Sequence, residues 1–217
     1  MKILFPNLCN KASLWGLPLF LLMALLGGAP AAVWGQQIDY SARSMKKKKG
    51  TPYIRLRENV RFTQRDMVVR TAEADFDQAN NLFKAYGNVH VTKGREMEIF
   101  SDRLNYYGNR HKGEFRDNVL LIDDGDTLRT DFLDFNSLEN SGYFFNGGQI
   151  VDSAATLESK NGYYYPDRHS YFFKDSVRVY NQQYTLYSDT LKYNLLTAKD
   201  IVLGPTEIIG ESSYVYC

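Results

Sequence analysis

The sequence predicts an all-β fold built from repeats of short antiparallel strands, and three observations support this. A pattern with a turn-forming pair before an apolar residue recurs along the chain, as in Gly87-Asn88-Val89-His90-Val91. Apolar and polar residues alternate after each copy, with the period of two that marks a strand with one buried face. Tyr and Phe, at 16 and 13 residues, far outnumber the 2 Trp, and such aromatic residues pack well on a pleated surface.

The recurring pattern defines a repeat of about 30 residues. Its anchoring position is occupied in turn by Val60, Val89, Val119, Ile150, Val177 and Ile208. The spacings are 29, 30, 31, 27 and 31 residues. A fixed period of roughly 20–50 residues is typical of architectures in which repeats stack.

Each well-formed copy has a second half that reads Ser/Thr-x-x-apolar-x-aromatic, and these halves begin at Thr71, Ser101, Thr130 and Ser188. A single repeat cannot bury its apolar face, so the copies must stack on one another. Because successive side chains of a strand point to opposite faces of the sheet, one face of each sheet is apolar. Two sheets that pack with these apolar faces together are therefore expected. The sequence therefore predicts a long twisted sandwich or an open, taco-shaped roll with an apolar interior.

Clusters of turn-forming residues separate the predicted strands and suggest three to four short strands in each repeat. We find no helical periodicity after residue 36. The predicted turns are Asn80-Asn81, Gly108-Asn109, Asp123-Asp124-Gly125-Asp126, Asn140-Ser141-Gly142, Asn161-Gly162 and Asn194.

Three regions are expected along the chain. Residues 1–35 resemble a cleavable signal peptide, with an uncharged run from Leu14 to Val33 and small residues after it. The alternative is a membrane anchor that is not removed, since this run is long enough to span a bilayer. Both alternatives export the rest of the chain.

Residues 36–51 are predicted to be a basic linker, and residues 52–217 a β-repeat domain. The linker contains four consecutive lysines, Lys46 to Lys49. They are interpreted either as a solvated lead-in or as an attraction to the phosphates of a membrane or glycolipid.

The chain stops at Cys217, partway into the copy that contains Ile208. We expect either a fragment of a longer protein or a last strand that pairs with a partner. Cys9 lies in the predicted signal peptide, so Cys217 has no partner for an internal disulfide.

Candidate catalytic and metal-binding residues are few, and the sequence predicts neither an enzyme nor a cofactor or metal. The histidines, His90, His111 and His169, have no metal-ligand spacing, and His90 is expected to be solvated. Asp167-Arg168-His169-Ser170 leaves an exported hydrolase as the least favoured alternative. The acidic run at residues 123–127 is interpreted as a hairpin turn rather than a calcium loop. A net charge of +1 argues against nucleic-acid binding.

The segments Glu58-Asn59-Val60, Gly87-Asn88-Val89-His90-Val91 and Asp117-Asn118-Val119, with the Ser/Thr halves at Ser101–Tyr106 and Thr130–Phe135, resemble the OstA-like family. The resemblance covers roughly residues 50–210. The members of this family are LptA-type and LptC-type periplasmic proteins and the N-terminal domain of LptD. The resemblance therefore implies a protein of the periplasm, which could associate with the outer membrane. It implies a β-jellyroll or β-taco fold that shelters lipopolysaccharide acyl chains during transport to the outer membrane. It also implies pairing with other OstA-like domains through edge strands, and contacts with inner- or outer-membrane transport components.

Alternation predicts which side chains face inward, as candidates for a lipid-binding groove or for an ordinary packed core. They are Val60, Phe62, Phe76, Val89, Val91, Ile99, Leu104, Tyr106, Val119, Leu121, Leu133, Phe135, Val177, Val179, Leu191 and Tyr193. The competing hypothesis is a structural or adhesive β-solenoid with a filled core. In that case Tyr107, Tyr165 and Tyr187 on the outer face would contact a protein or glycan.

Overall fold

A computed structural model describes residues 38–151, 155–194 and 199–217 of the chain. These residues form one antiparallel sheet in which each long strand pairs with its neighbours in sequence. The only helical turns among them are two short 3₁₀ turns, Gly108–Arg110 and Pro166–Arg168. The strands are β1 Ile38–Ser41, β2 Ser44–Lys47, β3 Tyr53–Gln64, β4 Met67–Asp77, β5 Leu82–Lys93, β6 Met97–Tyr107, β7 Lys112–Asp123, β8 Asp126–Asn136, β9 Ser141–Phe144, β10 Gly148–Val151, β11 Thr156–Ser159, β12 Asn161–Tyr165, β13 Ser170–Tyr180, β14 Tyr184–Asn194, β15 Lys199–Gly210 and β16 Tyr214–Tyr216.

The all-β, repeat-built fold that the sequence predicts is confirmed, but the strands are joined differently than expected. A complete repeat such as β5 and β6 is a hairpin of two strands, 12 and 11 residues long. Each long strand is interrupted near its middle by a register shift, where two residues of one strand face one residue of the next. The short strands of the prediction therefore exist as arms, two to each long strand.

The Gly-Asn and Asp-Asn pairs of the repeat form these β-bulges, rather than the turns that were predicted to open each strand. Gly87 and Asn88 have φ angles of 74° and 50°, and Asp117 and Asn118 have φ angles of 64° and 50°. Left-handed backbone is tolerated best by Gly, Asn and Asp. This preference explains Gly87-Asn88 and Asp117-Asn118, because a bulge bends the strand at this point. Glu58 and Ser176 adopt the same positive φ in other copies of the repeat.

The bulges correct the predicted spacing of the repeat. The anchoring residue lies opposite the Ser or Thr that opens the second half of the repeat, as Val60 lies opposite Thr71. The fourth anchor is Gly148 rather than Ile150, because Gly148 lies opposite Ser159 of the next strand and Thr130 of a preceding strand. The sixth anchor is Thr206 rather than Ile208, because Thr206 lies opposite Ser188 of the preceding strand. The anchors Val60, Val89, Val119, Gly148, Val177 and Thr206 are then 29, 30, 29, 29 and 29 residues apart.

The Ser and Thr residues that open the second half of each repeat bind the backbone at the bulges. The Thr71 hydroxyl lies 2.9 Å from each of the carbonyl oxygens of Tyr86 and Gly87. The Thr130 hydroxyl donates to the carbonyl oxygen of Gly147 at 2.7 Å. A bulge disrupts the local ladder of backbone hydrogen bonds, and these hydroxyls partly replace it.

The bulges divide the sheet into two layers that face each other. Layer 1 contains the arms that pair with Tyr53–Arg57 of β3, and layer 2 contains the arms that pair with Val60–Gln64. We call the line of bulges that joins the layers the seam, and the opposite edge, where the hairpin turns lie, the mouth. The core lies between the layers and runs through every repeat.

The linker prediction is wrong for most of residues 38–47, because Ile38–Ser41 form β1 and Ser44–Lys47 form β2. Strand β1 extends layer 2 by pairing with β3, and β2 pairs with the layer 1 arm of the same strand. Lys46 and Lys47 lie opposite Arg55 and Ile54. Their attraction to phosphates stays a prediction.

Most of the predicted turns coincide with loops or hairpin turns between strands. Asn161-Gly162 belongs to β12, Ser141 and Gly142 are the first residues of β9, and Asn194 is the last residue of β14. The predicted signal peptide or anchor lies outside the described residues. Within the described residues, no helix is long and apolar enough to cross a bilayer.

Candidate functional site: the interior between the two layers

The interior between the layers contains every residue that the sequence analysis placed on the inward face. Their exposed fractions range from 0% for Phe62, Leu121, Leu133 and Leu191 to 8% for Tyr193. The prediction that these residues share one apolar interior is confirmed. Whether they contact lipid is a separate prediction that burial does not test.

Aromatic contacts across the interior hold the two layers together near the first repeats. The ring of Phe62, in layer 2, stacks on that of Phe83, in layer 1, with a centroid distance of 4.5 Å. It also meets the rings of Phe76 and Tyr106 edge-on, at 6.0 Å each. Phe62 therefore joins rings from three strands of the opposite layer.

Polar contacts connect the two layers at the mouth. The Tyr164 hydroxyl of layer 1 donates to a carboxylate oxygen of Asp123, at the end of the layer 2 arm of β7, at 2.5 Å. The Gln78 side-chain amide donates to the Tyr40 hydroxyl of β1 at 3.2 Å. These polar contacts help to close the mouth, whereas the layers are joined at the seam by covalent backbone.

Burial raises the pKa of Tyr164 well above the ordinary tyrosine value, and the nearby Tyr171 and Asp123 raise it further. The Tyr164 side chain lies between the layers, and only 3% of the residue is exposed. A phenolate at this position would lose its hydration and would lie beside the Asp123 carboxylate. The contact at the mouth therefore depends on a protonated Tyr164.

We expect stability to fall as the pH rises above about 10, the ordinary tyrosine pKa. The unfolded chain then releases the Tyr164 proton while the folded chain keeps it. The loss from this residue is at most about 1.4 kcal/mol per pH unit. Urea unfolding between pH 8 and 11 should show a smaller alkaline loss for Tyr164→Phe than for the parent. Asp123→Asn should keep most of the loss, because burial is the main cause. An unchanged slope in Tyr164→Phe would contradict this assignment.

The sequence analysis missed about half of the interior, mainly in the arms that precede each bulge. Alternation could have identified many of these residues, since Ile54 and Leu56 alternate with Arg55 and Arg57. The missed buried residues include Ile54, Leu56, Met67, Val69, Ala74, Phe83, Ala85, Met97, Phe115, Leu128, Phe144, Ile150, Leu157, Tyr164, Tyr171, Phe173 and Leu186.

The other candidate residues have structural partners. His90 faces outward as predicted, but it is not simply solvated. Its ring stacks on Phe100 at 4.4 Å, and Nε2 lies 2.8 Å from a Glu98 carboxylate oxygen. Asp124 and Gly125 occupy the β7–β8 hairpin turn with positive φ angles, as the turn interpretation predicts.

The Asp167–Ser170 segment connects β12 to β13. Asp167 accepts a hydrogen bond from the Asn140 side chain at 2.7 Å, and His169 adopts left-handed backbone at the end of the 3₁₀ turn. Within residues 38–151, 155–194 and 199–217, no group of three or more His, Cys, Asp or Glu residues is placed to hold a metal ion.

The outward tyrosines of the competing hypothesis lie on the outer face and are half-buried. Each ring is packed against an arginine guanidinium. The pairs are Tyr107 with Arg110 at 6.0 Å, Tyr165 with Arg168 at 5.6 Å and Tyr187 with Arg178 at 5.8 Å.

Comparison with known proteins adds a family to this geometry. The model of the family described as OstA-like protein matches residues 37–189. No curated protein sequence matches the chain. One solved structure that resembles part of this chain is LptH of Pseudomonas aeruginosa, described as the LptA homologous periplasmic component of the conserved lipopolysaccharide transport device. It is 14% identical, the likeness covers 47% of this chain and 77% of that chain, and the TM-score is 0.44. The family match, which spans well over half of the sequence from β1 into β14, shows that the chain belongs to the OstA-like family.

Proposed function

We propose that this chain is a periplasmic lipid-binding module that shelters the acyl chains of lipopolysaccharide during transport to the outer membrane. The observation that carries the proposal is the apolar interior that runs between the layers through every repeat. Membership of the OstA-like family supports the same function. Acyl chains in water cost about 0.8 kcal/mol for each CH₂ group, so a carrier needs a long apolar surface and no catalytic group.

The proposal requires that the layers separate at the mouth, because the interior side chains are packed against one another. The seam is continuous backbone and can act as the hinge. Opening at the mouth breaks contacts such as Tyr164–Asp123 and Tyr40–Gln78. Acyl chains that enter there would replace contacts between apolar side chains with contacts of the same kind.

The ends of the sheet suit assembly with further OstA-like domains. Among the described residues, β16 is the last strand beside β15, and its Tyr214 and Tyr216 side chains are 63% and 67% exposed. A strand with an unpaired edge can pair with another chain. We therefore propose edge pairing with related domains, and through them contact with membrane transport components.

Photo-crosslinking tests the lipid-binding proposal. A photoreactive amino acid is placed at Phe62 and Val91, which face inward, and at Thr63 and Thr92, which follow them on the same strands and face outward. Purified full-length variants are incubated with lipopolysaccharide and irradiated. We expect lipid adducts at positions 62 and 91 and few at 63 and 92. Equal labelling of both faces, or none at the inward positions of folded protein, would refute the proposal.

A further inference from the structure

The outer face of layer 1 changes character from one end of the sheet to the other. One row of side chains crosses the strands from β3 to β13, each residue paired with the next. From β3 to β8 the row is polar, and from β9 to β13 it is aromatic. Its members are Arg55, Asp75, Lys84, Asn105, Glu114, Asp134, Tyr143, Tyr163 and Phe172.

The aromatic part of this row belongs to a larger cluster of rings, which we call the outer aromatic strip. Tyr143 lies at its centre, with ring centroids 4.7 Å from Tyr163 and 5.6 Å from Phe145. Phe145 continues to Phe132 at 5.1 Å, and Tyr163 continues to Tyr165 at 6.3 Å and to Phe172 at 6.5 Å. The strip consists of Phe132, Tyr143, Phe145, Tyr163, Tyr165 and Phe172.

The strip is not part of the core. Its members alternate along their strands with buried residues such as Phe144, Tyr164 and Phe173, so they point to the opposite face. Tyr163 is 41% exposed, and the other five rings are partly exposed. A contiguous aromatic surface on an outer face commonly marks a binding site.

Charged side chains line the edge of the strip toward β7. The Arg116 guanidinium lies over the rings of Phe132 and Phe145, at 5.8 and 5.5 Å, and donates to the Asp134 carboxylate at 2.8 Å. Lys112 lies 2.9 Å from the other oxygen of that carboxylate. Asp134 and Lys112 line a depression of about 240 Å³ that reaches the central tyrosines. This depression is smaller than the roughly 300–1,000 Å³ of pockets that enclose drug-sized ligands.

This combination of groups fits a carbohydrate better than an acyl chain or an apolar protein surface. Three of the six rings of the strip, Tyr143, Tyr163 and Tyr165, carry a hydroxyl. A pyranose ring has a face of C–H groups, which packs on an aromatic ring, and an edge of hydroxyls. Carboxylate, ammonium and guanidinium groups at the border of the strip can bind that edge.

The strip also begins at the mouth. Tyr165 is the last residue of β12 and follows Tyr164, which closes the mouth through Asp123. We propose that the outer aromatic strip binds the saccharide part of the glycolipid whose acyl chains occupy the interior. This inference rests on the proposed function. It adds a second contact surface, on which the sugar chain leaves the mouth and lies along the outer face of layer 1.

The test uses lipid-free core oligosaccharide, released from lipopolysaccharide by mild acid, and the full-length protein. Saturation-transfer NMR and a titration measure its binding to the parent, to Tyr163→Ala and to Tyr143→Ala. The control is Tyr107→Ala, since Tyr107 is also a half-buried outer tyrosine packed on an arginine but lies outside the strip. Thermal unfolding confirms that each variant is folded.

We expect the oligosaccharide to bind the parent and Tyr107→Ala equally, and each strip variant about tenfold more weakly. Failure to bind the parent, or equal binding by the folded Tyr163→Ala variant, would overturn the inference. Crosslinking of whole lipopolysaccharide at positions 62 and 91 separates the two proposals. If lipid adducts form there while the oligosaccharide does not bind, the strip inference fails and the proposed function stands. If the oligosaccharide binds without inward adducts, the proposed function fails and the strip binds sugars independently of lipid.

Discussion

Phe62→Ala is expected to lower the free energy of unfolding by about 3–5 kcal/mol, the usual cost of removing a fully buried aromatic ring. Phe62 has no exposed surface and contacts the rings of Phe76, Phe83 and Tyr106. Its removal leaves a cavity between the layers, which cannot close because the seam fixes their separation on one side. Urea denaturation followed by circular dichroism measures the loss.

Phe62→Leu is the matched control, because leucine keeps much of the apolar volume. Its cost should be clearly smaller than that of alanine. A second control is Thr63→Ala, at the next position of β3 and on the outer face, where we expect a change within about 0.5 kcal/mol. A loss below about 1 kcal/mol for Phe62→Ala would contradict a tightly packed interior and would favour an interior that is open without ligand.

Gly162→Ala is expected to destabilise the protein by about 1–3 kcal/mol, because a side chain at this position would overlap the ring of Phe144. A Cβ atom at Gly148 would lie 2.5 Å from the same ring. Phe144 is fully buried and cannot move into solvent. A side chain at either glycine would therefore overlap the Phe144 ring.

A double-mutant cycle tests this explanation. Phe144→Leu removes much of the ring and should reduce the cost of Gly162→Ala, so the double variant should be more stable than the sum of the single effects predicts. Gly125→Ala is a control for backbone strain without overlap, because Gly125 has a φ angle of 89° and its Cβ would meet no atom within 4 Å. The cost of Gly125→Ala should therefore not change when Phe144 is replaced by leucine. Additive effects of Gly162→Ala and Phe144→Leu would show that the clash is not the cause.

Phe144 also explains why the repeat could not be followed through its fourth copy from the sequence. The anchor position of the fourth copy is Gly148, because the Phe144 ring fills the space that a valine side chain occupies in other copies. In the sixth copy the anchor is Thr206, whose hydroxyl lies 3.0 Å from that of Ser188. A search for Val or Ile selects the next apolar residue, two positions later.

The fold class and the inward residues after each bulge follow from alternation, which survives in a single sequence. The bulges cannot be predicted from the sequence in this way, because Gly and Asn have the same preference for positive φ in a hairpin turn as in a bent strand. Strands β1 and β2 also cannot be recognised from the alternation of apolar and polar residues. They are short, and Lys46 and Lys47 in β2 read as a charge run until β3 is known to pair with them. The outer aromatic strip could not be predicted from alternation either. Residues 143–145 and 163–165 are all aromatic, so these strands carry rings on both faces and show no alternation.

The seam has a further consequence for how similar repeats find the correct partners. A strand that slips by two residues keeps the same side chains facing inward, so the apolar pattern alone does not oppose this error. After such a slip, the bulge residues Asp117 and Asn118, which have positive φ angles, would lie opposite a regular part of the neighbouring strand. Thr130 would then lie beside backbone carbonyl groups that already accept a hydrogen bond in the sheet. The bulges thus fix the register between strands whose apolar patterns are similar.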